Sequence, residues 1–539
     1  MNTSKKKSLH VAVLAGLAAV GVVGTAQAVH INPDGLGQVL IYPYYTARAG
    51  QFTAISIINT QNNTKAVKVR FLEGKNSKEV LDFNLFMSPN DVWTGAVVAT
   101  ANGARLVTND NSCVTPNDLF TEDRFDTLGL PLNAFKNYQY TGQNSDNSDD
   151  SFKSLDRTRE GYFEVLEMGV VDDNANPADA FSSATATLTG YIKHNSAGVP
   201  ANCSALDNYD INSTVGTSRF PATPTALLSP PRGGLTGRAS IINPATGANY
   251  TFSPTAMDAW SNTVAYSGVG DIFPSLVSGT APPTSNVFAT SGGVPGVITA
   301  NWASGAEAMS GALMRNAVIN EFVLDAGTAS QTDWVVTFPT KSAFVSPDKA
   351  TSVAVPPFAN NFQNDTLAGA CDPYNYGVFN REESSPPPTR LNPSPAAPGV
   401  NSNSALCWEA NVVPFGTAGL LGSTNTSLLD VALQAQVNSS STVPGSRTTP
   451  TARATQGPNG WMSMNFNTAT QVLVPITATF AALGSAAAPT ALTAGAGDHH
   501  GLPVIGVMMH NYRNSGVVSL YGGVIDHKFT RFIGVTAAP

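Results

Sequence analysis

Apolar and polar residues alternate most clearly between residues 37 and 100. Phe52-Thr53-Ala54-Ile55-Ser56-Ile57-Ile58-Asn59 places Ile55 and Ile57 on one face of an extended chain and Ala54, Ser56 and Ile58 on the other. Ala66-Val67-Lys68-Val69-Arg70-Phe71-Leu72 alternates in the same way, with Val67, Val69 and Phe71 expected inward and Lys68 and Arg70 toward water. Gln38-Val39-Leu40-Ile41-Tyr42 precedes these segments. Two further runs follow at 80–86 and 92–100, separated by the turn Ser88-Pro89-Asn90-Asp91. Short strands at even spacing with turns between them predict an antiparallel β-sandwich.

Beyond residue 100 the runs are spaced by longer insertions. Gly161-Tyr162-Phe163-Glu164-Val165-Leu166-Glu167-Met168 is mostly apolar on both faces, as a central strand would be, and 184–194 is a candidate partner for it. Gly237-Arg238-Ala239-Ser240-Ile241-Ile242, the turn Asn243-Pro244-Ala245-Thr246-Gly247 and Asn249-Tyr250-Thr251-Phe252 read as a hairpin. Further strands are expected at 333–338, 471–480, 503–508 and 517–522. Only 254–265 and 305–320 have helical spacing. The predicted fold is therefore mainly β: an immunoglobulin-like antiparallel sandwich at the N-terminus, continued by further β structure with long loop insertions and few helices. The expected division is a signal peptide at 1–28, an N-terminal sandwich region with an insertion at 29–222, a middle β region at 223–383, a Pro-rich loop at 384–404 and a C-terminal β region at 405–539.

The chain opens with Lys5-Lys6-Lys7, an apolar run at 11–23 and the small-x-small site Ala26-Gln27-Ala28. These are the three zones of a secretory signal peptide, and cleavage after Ala28 would leave Val29 as the new N-terminus. The apolar run is too short to span a bilayer, and no later segment reaches about 18 uninterrupted apolar residues, so no transmembrane helix is expected in the mature chain. Cys113, Cys203, Cys371 and Cys407 are even in number and lack metal-type spacing, which in an exported chain points to disulfides. Three pairings are open; Cys113–Cys203 with Cys371–Cys407 is favoured because the latter two flank the Pro-rich loop. The expected location is extracellular or at the cell surface, with the periplasm as a further compartment. The net charge of −8 becomes −11 once the three lysines of the signal are removed (−8 − 3 = −11), which disfavours nucleic acid as a partner. Charged residues make up only 12% of the chain, leaving a neutral polar surface suited to packing against copies of itself or against cell-envelope components.

Chemistry-bearing motifs are few. The chain contains no GxSxG, HExxH, Gly-rich phosphate loop or EF-hand loop, and no catalytic residue is assigned. His499, His500, His510 and His527 fall in the last stretch beside Met508 and Met509, a donor set suited to copper, or to zinc through imidazole alone; ordinary hydrogen bonding at loops and strand ends is the competing reading. His30 would offer an N-terminal copper brace if cleavage fell after Val29, which the small-x-small rule opposes. Asn144, Asp146, Asp149 and Asp150 supply oxygen ligands of the kind Ca²⁺ takes, against the alternative of a solvated loop. Glu164 and Glu167, three apart on one strand, are expected on opposite faces, one solvated and the other paired with an arginine such as Arg157 or Arg159.

The strand pattern of 37–100 resembles the immunoglobulin-like modules of bacterial surface proteins. Asn32-Pro33-Asp34-Gly35-Leu36-Gly37-Gln38, Thr332-Asp333-Trp334-Val335-Val336-Thr337-Phe338-Pro339-Thr340-Lys341 and Leu502-Pro503-Val504-Ile505-Gly506 are similar to phrases of a group of uncharacterised secreted bacterial cell-surface proteins. This resemblance implies export and a surface location, and no reaction. The leading functional expectation is a secreted structural, adhesive or matrix protein without catalytic activity. The alternatives are a secreted glycan-binding or glycan-active protein, and an extracytoplasmic metal-binding protein using the C-terminal histidines. Self-association is expected to involve 39–42, exchanged into the open sheet edge of a neighbour.

Overall fold

A computed structural model describes residues 28–141, 153–172, 187–210, 225, 227–279, 283–324, 328–345, 354–361, 369–380, 405–415, 419–425, 459–485, 487–513 and 520–535. The chain is mainly β, built from several open antiparallel sheets with few helices. In the N-terminal part successive strands are dealt between two facing sheets. The first holds, in spatial order, His30–Ile31, Thr255–Asp258, Val39–Thr46, Glu160–Val171, Lys65–Glu73, Glu79–Met87 and Cys113–Thr115, with Leu228–Ser229 added to the end of Glu160–Val171. The second holds Ala248–Phe252, Leu235–Asn243, Phe52–Asn59, Val92–Ala99 and Ala104–Val107. Tyr42, Val69, Phe83, Phe163 and Val165 of the first sheet meet Ile55, Ile57, Trp93, Val97 and Ile241 of the second in one buried core. Burial of these large side chains, at roughly 25 cal/mol per Å² of apolar surface, is what holds the two sheets together.

The sandwich reaches past the expected boundary at residue 222. Leu235–Asn243 lies along Phe52–Asn59 from Leu235↔Asn59 to Ile242↔Phe52, and Thr255–Asp258 pairs with Val39–Thr46. The hairpin of Leu235–Asn243 and Ala248–Phe252 turns at Gly247, whose φ of +73° suits glycine. Val39–Thr46 is a wholly buried strand, paired on one side with Thr255–Asp258 and on the other with Glu160–Val171.

The C-terminal part contributes three four-stranded sheets. One runs Ala410–Pro414, Gln331–Thr337, Ile505–Arg513, Leu520–Asp526; another Asn375–Asn380, Asn459–Asn465, Ala317–Val323, Lys528–Thr530; the third Thr284–Ser291, Val294–Asn301, Thr477–Ala482, Thr490–Ala491. The sheet of Gln331–Thr337 joins the two parts through the period of two. Val335, Val412 and Val507 belong to the N-terminal core, whereas Trp334, Val336, Val413 and Met508 belong to a second core with Trp302, Phe322 and Met462. Val39, Ile41 and Leu166 turn to that same second core, so the near-continuous apolar reading of these strands reflects layers on both faces.

Three local expectations are corrected. Segment 184–194 contains no partner strand among its described residues; Leu188–Ile192 is a short helix because the Thr187 hydroxyl accepts the Gly190 N–H as a cap. Segment 254–265 gives the strand Thr255–Asp258, where long-range pairing overrides helical spacing. In 305–320 a helix does form at Gly305–Leu313, opened by a Ser304/Glu307 capping box, but Ala317–Val323 leaves it to pair with Asn459–Asn465. Segment 384–404 lies outside the described residues.

Candidate functional site

The charged residues of the first sheet are its least expected feature. Lys68 and Arg70 do not face water: Lys68 is fully buried, pairs with Asp82 at 2.8 Å and donates to the carbonyls of Gly268 and Asp271. Arg70 bridges Glu79 at 2.6 Å and Glu164 at 2.9 Å. Glu164 and Glu167 are both buried and both paired, the latter with Lys65 at 2.6 Å and with the backbone N–H groups of Arg232 and Gly233. This corrects the expectation that one would be solvated and the other held by Arg157 or Arg159. Arg157 pairs instead with Glu73 at 2.6 Å, and Arg159 with Asp156 at 2.7 Å. The cause is chain laid over the face that the alternation assigns to solvent: Gly268, Asp271 and Leu276 meet Lys68 and Glu164, and Arg232 and Gly233 meet Glu167.

Burial pushes Glu164 and Glu167 above the ordinary carboxylate value, with Arg70 and Lys65 pulling the other way. Burial also raises Glu73, but Arg157 and the N–H groups of Asn76 and Lys75 outweigh it and hold that carboxyl below its usual range. Glu160 is shared by Arg48 at 2.7 Å, the Tyr44 hydroxyl at 2.8 Å and the Thr424 backbone N–H at 2.9 Å, so it ties the N-terminal sandwich to the segment 419–425. The same segment reaches Asp333, whose Oδ2 accepts the Leu421 N–H at 3.1 Å and whose carboxyl burial pushes up to about 7. Lys341 and Asp372, both fully buried, pair at 3.0 Å, with the Lys341 ammonium over the Phe338 and Phe358 rings of the second core.

The cysteines form two bonds, Cys113–Cys203 and Cys371–Cys407. The first ties the edge strand Cys113–Thr115 to the helix Ser204–Asp210 over a small core of Phe86, Leu188 and Leu206. Two disulfides fit an oxidising, extracytoplasmic environment. Among the described residues no helix is long and apolar enough to cross a membrane.

The four C-terminal histidines have separate partners. Nδ1 of His499, fully buried, donates to Gly497 O at 2.9 Å, and burial lowers its pKa to about 3. His500 Nε2 lies 2.8 Å from Gly534 O. His510 Nδ1 lies 3.4 Å from Met508 Sδ, and His527 is held between Asn320 and Val335 O, with burial lowering its pKa to about 4. Among the described residues no three His, Cys, Asp or Glu side chains converge as a metal site would require. His30 sits in a strand with Nδ1 3.1 Å from Ala28 O. The calcium candidates Asn144, Asp146, Asp149 and Asp150 lie outside the described residues, as does the signal segment before Ala28.

What the C-terminal strands do bring together is an exposed strip. Along Ile505–Arg513 and Leu520–Asp526 the register pairs Met508 with Ile525, His510 with Gly523 and Tyr512 with Tyr521. Met508 is buried in the second core; His510, Tyr512, Tyr521 and Ile525 continue that same face beyond the core's edge, with Tyr521 61% exposed. The His510 and Tyr512 rings meet edge to face at 4.9 Å. On the neighbouring sheet Trp461 is 40% exposed and stacks on Phe379 at 4.4 Å. Sequence reasoning valued His510 as a ligand and passed over the tyrosines; the period-two spacing of His510 and Tyr512 was the available signal. No protein family, curated protein or solved structure compared with the chain matches it.

Proposed function

We propose that the chain is an exported structural or adhesive protein of the cell surface that works by contact, without catalysis, and associates with copies of itself. The observation that carries this reading is the Tyr512–Tyr521 strip, a run of aromatic and aliphatic side chains left uncovered at the end of a core face. Support comes from the interior, where the paired charges of the first sheet are committed to holding strands and segments together. It comes also from the low density of charged residues, which leaves a largely neutral polar surface.

Sedimentation velocity on the mature protein is the test. Concentration-dependent association is expected, and Tyr512→Ser with Tyr521→Ser should abolish it while leaving the melting temperature within a few degrees, because both rings are substantially exposed. A protein that stays monomeric at high concentration, or that associates equally well without the tyrosines, would remove the basis for the proposal. Cell fractionation should place the protein at the surface or in the medium.

Glycan binding is the second reading, favoured by one feature: Trp461 shares its sheet face with Ser463 and Asn465, and across the register with Asn375. An exposed indole flanked by hydroxyl and amide groups suits a sugar ring. A Trp461→Ala-sensitive signal on an immobilised glycan array would favour it over self-assembly.

A further inference from the structure

Two arginines 216 positions apart in the chain converge on the end of the helix Gly305–Leu313. Arg315 is 3% exposed and its Nη1 donates to Met314 O at 2.8 Å and Ala312 O at 3.3 Å. Arg531 donates to the same two carbonyls, Nη2 to Ala312 O at 3.0 Å and Nε to Met314 O at 3.3 Å, and its Nη1 reaches Phe288 O at 3.2 Å. The local backbone is built around this pairing. Gly501, at φ +112°, packs so tightly on Arg315 O that a Cβ there would lie 1.8 Å from it, and Leu502 then pairs with Arg315.

The charge does not balance. A helix C-terminus offers roughly half an elementary negative charge, against two guanidinium cations. Buried guanidinium groups elsewhere in this chain have carboxylates: Arg70 has Glu79 and Glu164, and Arg157 has Glu73. Among the described residues neither Arg315 nor Arg531 has one. Burial, with Arg531 as the neighbouring charge among the described residues, drives the pKa of Arg315 well down, and burial lowers Arg531 to about 10. Among the described residues Arg315 Nε is buried with no hydrogen-bond partner, while the Phe529 ring, 50% exposed, has its centroid 3.8 Å from the guanidinium and forms the outer wall.

We propose that Arg315 and Arg531 form a binding site for a small divalent oxyanion of the phosphate or sulfate type, held at the free Nε edge of Arg315 beneath Phe529. Two convergent guanidinium groups match a dianion in charge, and a planar N–H edge matches the spacing of its oxygens. The Phe529 ring over the Arg315 guanidinium shields one face of it from water, which strengthens the attraction. The site is independent of the Tyr512–Tyr521 strip.

The experiment uses the full mature chain. Calorimetric titration and thermal melting are run in sodium phosphate and sodium sulfate, against sodium chloride at matched ionic strength. Saturable binding of one ion per chain is expected, with a melting temperature that rises with phosphate and not with chloride. Arg531→Gln should weaken phosphate binding about tenfold or more, as loss of one charge-assisted contact does. Arg531→Lys, which keeps the charge and lets the fold be checked, should lie between. Methyl phosphate separates the two sources of this chemistry: binding equal to that of phosphate means that a polymer-borne group can enter, whereas exclusion means the free ion. Equal melting in phosphate and chloride for the wild-type protein, or undiminished binding by Arg531→Gln, would overturn the proposal.

Discussion

Replacing Lys65 by methionine isolates the part played by the buried charges of the first sheet. Lys65 and Glu167 are both 0% exposed and lie 2.6 Å apart. At an effective dielectric constant of about 20, two unit charges at that distance attract by about 6 kcal/mol, a gain that desolvation of several kcal/mol per ion largely cancels. The pair as a whole is therefore close to neutral, but half of it is not. Lys65→Met leaves Glu167, among the described residues, with the N–H groups of Arg232 and Gly233 and should cost about 3–5 kcal/mol. Adding Glu167→Met should recover most of that loss, a coupling that urea denaturation of the single and double variants under oxidising conditions would measure. The pH dependence gives an independent check. Burial already raises Glu167 above its ordinary 4.5, and without Lys65 it rises further. A raised carboxyl favours the folded state below its ordinary value and withdraws that support as pH climbs through the folded value, so the Lys65→Met deficit should shrink on acidification. A single variant within about 1 kcal/mol of wild type, or a double variant as unstable as the sum of the singles, would refute the account.

Two further outcomes are expected. Reduction should destabilise the protein, because Cys113–Cys203 and Cys371–Cys407 close separations of 90 and 36 residues, worth about 4.6 and about 4 kcal/mol in the chain-entropy account; peptide mass spectrometry without reductant should recover both pairs, and unchanged melting after reduction would contradict the estimate. Asp333, with an ordinary value of 3.8 and a folded value of about 7, should cost stability progressively as pH rises from about 4 to 7, by at most about 4 kcal/mol. Asp333→Asn should therefore melt higher than wild type at pH 8 and little differently at pH 4, and a wild-type melting curve insensitive to pH over that interval would count against the buried carboxyl.

Alternation by itself determined that this chain is a β protein. Val67, Val69 and Phe71 face the sandwich core as their spacing requires, and the turn residues around Gly247 place a hairpin where the sequence suggests one, because both depend only on backbone geometry within a few residues. The composition likewise pointed to a weakly charged surface. Which strands would be neighbours was not legible, since Phe52–Asn59 and Leu235–Asn243 choose each other through burial and not through local propensity. The same holds for the direction Lys68 and Arg70 would face. Alternation distinguishes the two sides of a strand, but only tertiary structure decides whether the polar side meets water or a covering segment whose carbonyls, with carboxylates from neighbouring strands of the same sheet, take up its charges. Arg315 and Arg531 are the sharpest case. Neither belongs to a motif, and their meeting at the Ala312 and Met314 carbonyls exists only because strand pairing returns the end of the chain to the helix terminus that precedes Arg315.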